Sequence, residues 1–74
     1  MIRVYRVVEP FEAQRLPPEP LHIETFRPGD LLIILKSEDA YTTFCRDEAE
    51  DLTTRDQFIV SDDEFQESTD QHGS

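Results

Sequence analysis

"FRPGDLLIILK", residues 26–36, decides how this chain folds. In Arg27-Pro28-Gly29-Asp30 the proline sets φ near about −65° at the second turn position, and the glycine accepts positive φ at the third, the type II pattern. Five apolar residues, 31–35, come directly after. Such a run is too short for a typical helix and too continuous for a strand with one wet face. It reads as a strand covered on both sides, which in a small protein means a sheet curled into a barrel or a tight two-layer sandwich. The turn redirects the chain, and the run after it is the centre of the core.

On the N-terminal side, Ile2, Val4 and Val8 share one face of an extended segment, with Tyr5 and Val7 on the other. That period of two predicts a strand. Residues 9–20, "EPFEAQRLPPEP", hold four prolines and read as a long stiff loop, because proline removes a ladder donor and breaks helices. Its Pro17-Pro18-Glu19-Pro20 could serve as a polyproline II ligand; a loop stiffened to reduce the entropy lost on folding is the plainer reading. Residues 21–26 alternate as a second strand.

On the C-terminal side, Ser37-Glu38-Asp39-Ala40 is a polar turn and residues 41–45 are β-branched and aromatic, a further strand. Residues 47–56 are polar and acidic and read as an exposed loop, and residues 57–60 as a last short strand. Ser61 with Glu64 three positions on is a capping-box pattern that starts one helical turn and points Phe65 toward the core. From Glu67 the tail "ESTDQHGS" has no apolar residue, which predicts disorder over 67–74. One small domain over 1–66 is therefore expected, all-β, a five-stranded antiparallel barrel with a short helical turn near its C-terminus. A domain this short buries only about 60% of its unfolded surface, so its core is modest.

Several of these segments resemble the Src-homology-3-like barrel. Phe11-Glu12-Ala13 is similar to the opening of that family's long first loop. Residues 21–26 followed by Gly29-Asp30-Leu31 resemble its strand and diverging turn ahead of the central strand. Ser37-Glu38-Asp39 stands where it has a polar hairpin loop, and Phe58-Ile59-Val60 with Phe65 resemble its closing strand and short helix. The resemblance implies a barrel and a scaffold or peptide-binding module whose groove is built from residues 11–20 and Tyr41. The chain departs from the family in lacking tryptophan, and Ser61-Asp62-Asp63-Glu64-Phe65 replaces its terminal proline and tyrosine. Proline-peptide grooves need such aromatic walls.

Charge carries the functional reading. The net charge is −10, and residues 1–37 hold five acids against five bases while residues 38–74 hold twelve against two. An acidic half repels nucleic acid and anionic membranes and attracts basic protein surfaces. Carboxylates two apart on a strand lie about 6.7 Å apart on one face, a spacing that can occupy lysine and arginine sites built for phosphates. The expectation is a non-catalytic acidic domain that docks on a basic protein surface, one version being a DNA mimic that inhibits a nucleic-acid-binding enzyme. Asp47, Glu48, Glu50, Asp51, Asp62, Asp63 and Glu64 would supply the charge, and Tyr41 and Phe65 the apolar anchors.

Catalytic, metal and cofactor sites are not expected. Cys45 and the two imidazoles, His22 and His72, are too far apart in sequence for zinc spacing. Cys45 reads as a small buried hydrophobe rather than a nucleophile, and His22 as a solvent-facing strand residue. Neither "DEAED" at 47–51 nor "DDE" at 62–64 has the alternate spacing and central glycine of a calcium loop. The glycines, Gly29 and Gly73, form no phosphate-binding loop. One cysteine, no apolar run approaching a membrane span and no leader pattern suggest a cytoplasmic protein. An exposed edge strand would permit weak dimerisation, which the like-charged halves would resist, so a monomer or weak dimer is expected.

Overall fold

A computed structural model describes residues 3–17, 22–47 and 56–72. Among these the chain forms β1 (Val4–Val7), β2 (Phe11–Arg15), β3 (Ile23–Phe26), β4 (Leu31–Glu38), β5 (Tyr41–Arg46), β6 (Phe58–Ser61), α1 (Asp62–Ser68) and β7 (Thr69–Gln71). The strands make one antiparallel sheet in the order β3-β2-β6-β5-β4-β1-β7. All-β, antiparallel and curled are as the sequence predicts. The expected five-stranded closed barrel is corrected: seven strands are present, and no ladder joins the edges β3 and β7.

Two of the seven were hidden by composition. Residues 9–20 are not a continuous loop, because Pro10 and Pro17 bound β2 rather than interrupt it. Within it Phe11 and Ala13 are buried while Glu12 and Gln14 are exposed. The disorder expected over 67–74 is corrected for residues 67–72, Gly73 and Ser74 lying outside the described residues. Glu67 and Ser68 close α1, and Thr69, Asp70 and Gln71 pair with Val7, Arg6 and Tyr5. The Ser68 carbonyl accepts from the amides of both Val8 and Glu9, at 2.8 and 3.1 Å. Backbone pairing, which side-chain hydropathy does not report, makes this polar segment a strand.

The stretch that opened the reading behaves as its physics requires. Gly29 has φ of 101°, and the Asp30 amide donates to the Arg27 carbonyl at 3.1 Å, closing the turn. The Gly29 amide donates to the Val7 carbonyl at 2.9 Å, so the turn is sewn to β1. Leu32 is fully buried and Ile33 is 8% exposed on the opposite face. The ladder with β5 then slips between Ile34 and Lys36, and the extra residue, Leu35, is exposed. This β-bulge ends the doubly covered part of the strand.

All five phenylalanines, Phe11, Phe26, Phe44, Phe58 and Phe65, lie in the core with Val7, Ala13, Leu32 and Val60. Phe44 is central, its ring 5.1 Å from Phe26, 5.4 Å from Phe65, 5.8 Å from Phe58 and 5.9 Å from Phe11. Each such pair adds about 0.5–1.5 kcal/mol beyond the area it buries. One phenylalanine from each of β2, β3, β5, β6 and α1 thus ties the curled sheet into one core.

Candidate acidic docking face

The capping pattern at Ser61 forms: its Oγ accepts from the Glu64 amide at 3.3 Å. The helix runs for seven residues rather than one turn and carries Phe65 into the core at 2% exposure. Phe65 is therefore not an apolar anchor for a partner, because the burial that fixes the helix takes it out of reach. Asp62, Asp63 and Glu64 occupy the first turn, where carboxylates are favoured by the unsatisfied amides and the helix dipole. Part of this acidity thus has a local structural cause.

Asp62 has a second one. Its amide donates to the Ala40 carbonyl at 2.7 Å, Oδ1 accepts from the buried hydroxyl of Thr42 at 2.7 Å, and Oδ2 accepts from Gln66 at 2.7 Å. These bonds pin the start of α1 to the β4–β5 hairpin. Tyr41, at the hairpin's end, pairs in register with Glu38 on one side and Ser61 on the other. The residue is 56% exposed. Asp39 makes the turn with φ of 53°, a conformation that aspartate tolerates better than most residues.

Tyr41 thus stands exposed with Glu38 and Asp39 on the hairpin side and Asp63 and Glu64 on the helix side, the four carboxylates all exposed. Lys36 reaches Glu38 at 3.3 Å, both side chains being well exposed, so that pair is weak. Asp47 is not part of this group. It follows the far end of β5, six residues from Tyr41 or about 20 Å along a strand, where its amide donates to the Leu31 carbonyl at 3.0 Å. Glu48, Glu50 and Asp51 lie outside the described residues, as do Pro18, Glu19 and Pro20 of the possible polyproline segment.

Cys45 is fully buried, in keeping with a packing role. His22 is exposed on the strand side and its Nε2 lies 2.9 Å from Glu24 Oε2. Among the described residues no three His, Cys, Asp or Glu side chains group as metal ligands, and no helix is long and apolar enough to cross a membrane. Nothing in the sequence pattern points to an open groove of about 640 Å³ between α1 and the sheet, lined among others by Arg3, Tyr5, Ile34, Lys36 and Asp70. It depends on the Leu35 bulge and on β7, which pattern reading missed.

No protein-family model, curated protein or solved structure matches the chain. What the face can do therefore rests on its own chemistry.

Proposed function

We propose that this chain is a non-catalytic binding domain that docks on a basic protein surface through the end of the sheet where β4, β5 and α1 meet. One observation carries the reading: an exposed tyrosine, Tyr41, ends a hairpin whose exposed Glu38 and Asp39 form the turn, and that hairpin is bonded to the start of α1, where Asp63 and Glu64 are exposed. Exposed aromatics are the side chains that most often anchor interfaces, and a rim of one sign steers a partner of the other. Asp62 contributes mainly by holding the hairpin against the helix. An inhibitor that occupies phosphate sites of a nucleic-acid-binding enzyme is the narrower form of this proposal, with carboxylates on a turn and a helix start in place of phosphates.

The arrangement of strands favours a second reading. β1 lies between β4 and β7, the β2–β3 hairpin fills the connection from β1 to β4, and α1 fills the connection from β6 to β7. This resembles the Src-homology-3-like barrel, and on that reading the chain is a scaffold or peptide-binding module. The burial of Phe11 and Ala13 leaves Tyr41 as the exposed aromatic for such a groove.

The immobilised chain is expected to retain basic proteins from a cell extract at low ionic strength and release them at high, since exposed charge pairs are screened beyond about 10 Å at 0.1 M salt. Tyr41→Ala combined with Asp63→Asn and Glu64→Gln should lose most of that retention while keeping the fold. Displacement of the retained protein by duplex DNA separates the phosphate-mimic form from general docking. Retention that ignores both salt and the triple variant overturns the proposal and favours the groove reading.

A further inference from the structure

The curled sheet is open at the end where β1 begins and β4 and β7 finish, and the groove of about 640 Å³ lies there, with α1 as its other wall. The ladders tell which side chains face into it. The Ile34 amide donates to the Arg3 carbonyl at 3.3 Å, which sets Arg3 beside Ile34, and Tyr5 stands between Leu32 and Gln71. Leu32 belongs to the core, and side chains alternate along a strand, so Arg3, Tyr5, Ile34 and Gln71 share the concave face. Lys36 pairs with Thr43, and Asp70 with Arg6. By the same alternation these two border the groove while their charges belong to the convex face.

Among the charged side chains, Arg3 and Asp62 are left for the groove itself. Asp62 is occupied by the fold, Oδ1 accepting from Thr42 and Oδ2 from Gln66, both at 2.7 Å. Arg3 is exposed and has no ion-pair partner among the described residues, and the Tyr5 hydroxyl has no hydrogen bond there. The Tyr5 ring is held by its edge contact with Phe65 at 5.5 Å. Residues two apart on a strand lie about 6.7 Å apart on one face, so a guanidinium and a phenol at these positions can donate to one acceptor. Apolar surface adjoins them: Ile34 packs against the core, and the bulge leaves Leu35 exposed.

We infer that this groove binds a ligand with a single carboxylate on an apolar body. Arg3 and the Tyr5 hydroxyl hold the carboxylate, and Ile34 and Leu35 carry the body. Charge complementarity selects this chemistry, because the guanidinium fork fits a carboxylate with two parallel hydrogen bonds. A polyanion such as a nucleotide is disfavoured by the net charge of −10. A cationic ligand would need Asp62, whose oxygens are taken. The volume falls within the roughly 300–1,000 Å³ of small-ligand sites. A free organic acid and the C-terminus of an apolar-ended peptide present the same chemistry, and the groove's open sides admit both.

Titration of the full chain with phenylbutyrate, followed by amide shifts in NMR, tests this. The shifts are expected to saturate in the millimolar range and to cluster at Arg3, Tyr5, Ile34, Leu35 and Gln71. Phenylbutyramide and phenylbutylamine, which keep the body and change the head, should bind at least ~10-fold more weakly. Arg3→Gln should lose phenylbutyrate by a similar factor with an unchanged thermal melt, and Arg3→Lys should fall between. Lys36→Gln removes an equal charge from the convex face and should bind as the native chain does. An acetylated tetrapeptide ending in leucine, compared with its C-terminal amide, separates the sources: tighter binding than phenylbutyrate assigns a peptide terminus, and weaker binding a free acid. Shifts that never saturate overturn the inference, as do equal affinities for acid and amine or a loss in Lys36→Gln as large as in Arg3→Gln.

Discussion

Arg46 Nη2 lies 2.7 Å from Glu24 Oε1, joining β5 to β3 although β6 and β2 stand between them in the sheet. The contact spans the concave side of the curl. Arg46 also reaches Asp30 at 3.6 Å and lies over the Phe26 ring, 4.6 Å from its centroid. One guanidinium thus ties the end of β5 to the β2–β3 hairpin and to the turn that precedes β4. Arg46→Met keeps much of the stem's packing and removes the bonds, and should cost about 1–3 kcal/mol in urea unfolding. Arg46→Lys should recover little, since an ammonium cannot fork between two carboxylates and stack on a ring. Equal stability of all three proteins would refute the latch.

Glu24 gives this latch a pH signature. Its carboxyl is held below the ordinary carboxylate range, first by the hydrogen bond from His22; burial opposes this, and the hydrogen bond and charge of Arg46 add to the lowering. A depressed folded pKa means the stability it contributes is present above the unfolded value and is lost as pH falls through the folded one. The gap in stability between the native chain and Glu24→Gln should therefore be widest near neutrality and close under acid. Parallel unfolding curves down to low pH would remove Glu24 from the account.

Phe65 and Tyr41 should separate stability from binding. Phe65 is 2% exposed and packs on Phe44, Phe11 and Tyr5. Phe65→Ala should cost about 3–5 kcal/mol, close to the whole stability of a domain this small, so its melting transition should be lost or severely lowered. Tyr41→Ala should shift the midpoint by only a few degrees and act on partner retention instead. The reverse pattern in calorimetry would mean that the docking face has been misplaced.

Ser61 was legible because a cap is a local device: a serine three residues before Glu64, with an apolar residue next, needs no tertiary information. The turn and the covered strand expected over 31–35 were legible for the same reason, except that Leu35 is exposed at the bulge. What escaped the sequence depends on distant partners. β2 looked like loop because proline content outweighed the alternation of Phe11 and Ala13, and β7 looked disordered because its order comes from the backbone of β1. The contact of Arg46 with Glu24 links residues 22 apart, and no spacing rule reaches that far. Of the proposed docking face, Tyr41, Asp63 and Glu64 could be named from sequence, whereas Glu38 and Asp39 read only as a polar turn. That Asp62 is occupied by Thr42, and that Asp47 lies at the far end of β5, required coordinates.

The cap itself is testable. Ser61→Ala removes the acceptor for the Glu64 amide and should cost about 1 kcal/mol. Ser61→Asp restores an acceptor and should recover most of it. Because α1 delivers Phe65 to the core and Asp62 to Thr42, the alanine variant should also speed hydrogen exchange along 62–68 more than in β4. Uniform exchange across both elements would mean that the helix and sheet open together and that the cap has no separate role.

Gly29 carries the last prediction. Its φ of 101° lies where side chains other than glycine are strained, yet a Cβ there would meet nothing within 4 Å. The cost of Gly29→Ala is therefore conformational alone, about 1–2 kcal/mol, without any clash. Asn, which tolerates positive φ better, should cost less than Ala at the same position. Both should leave the Gly29 amide bonded to Val7, so the effect should appear as a uniform loss of stability with the near-UV spectrum unchanged. A loss well above 2 kcal/mol, or Ala and Asn behaving alike, would show that the turn needs glycine for something other than its backbone.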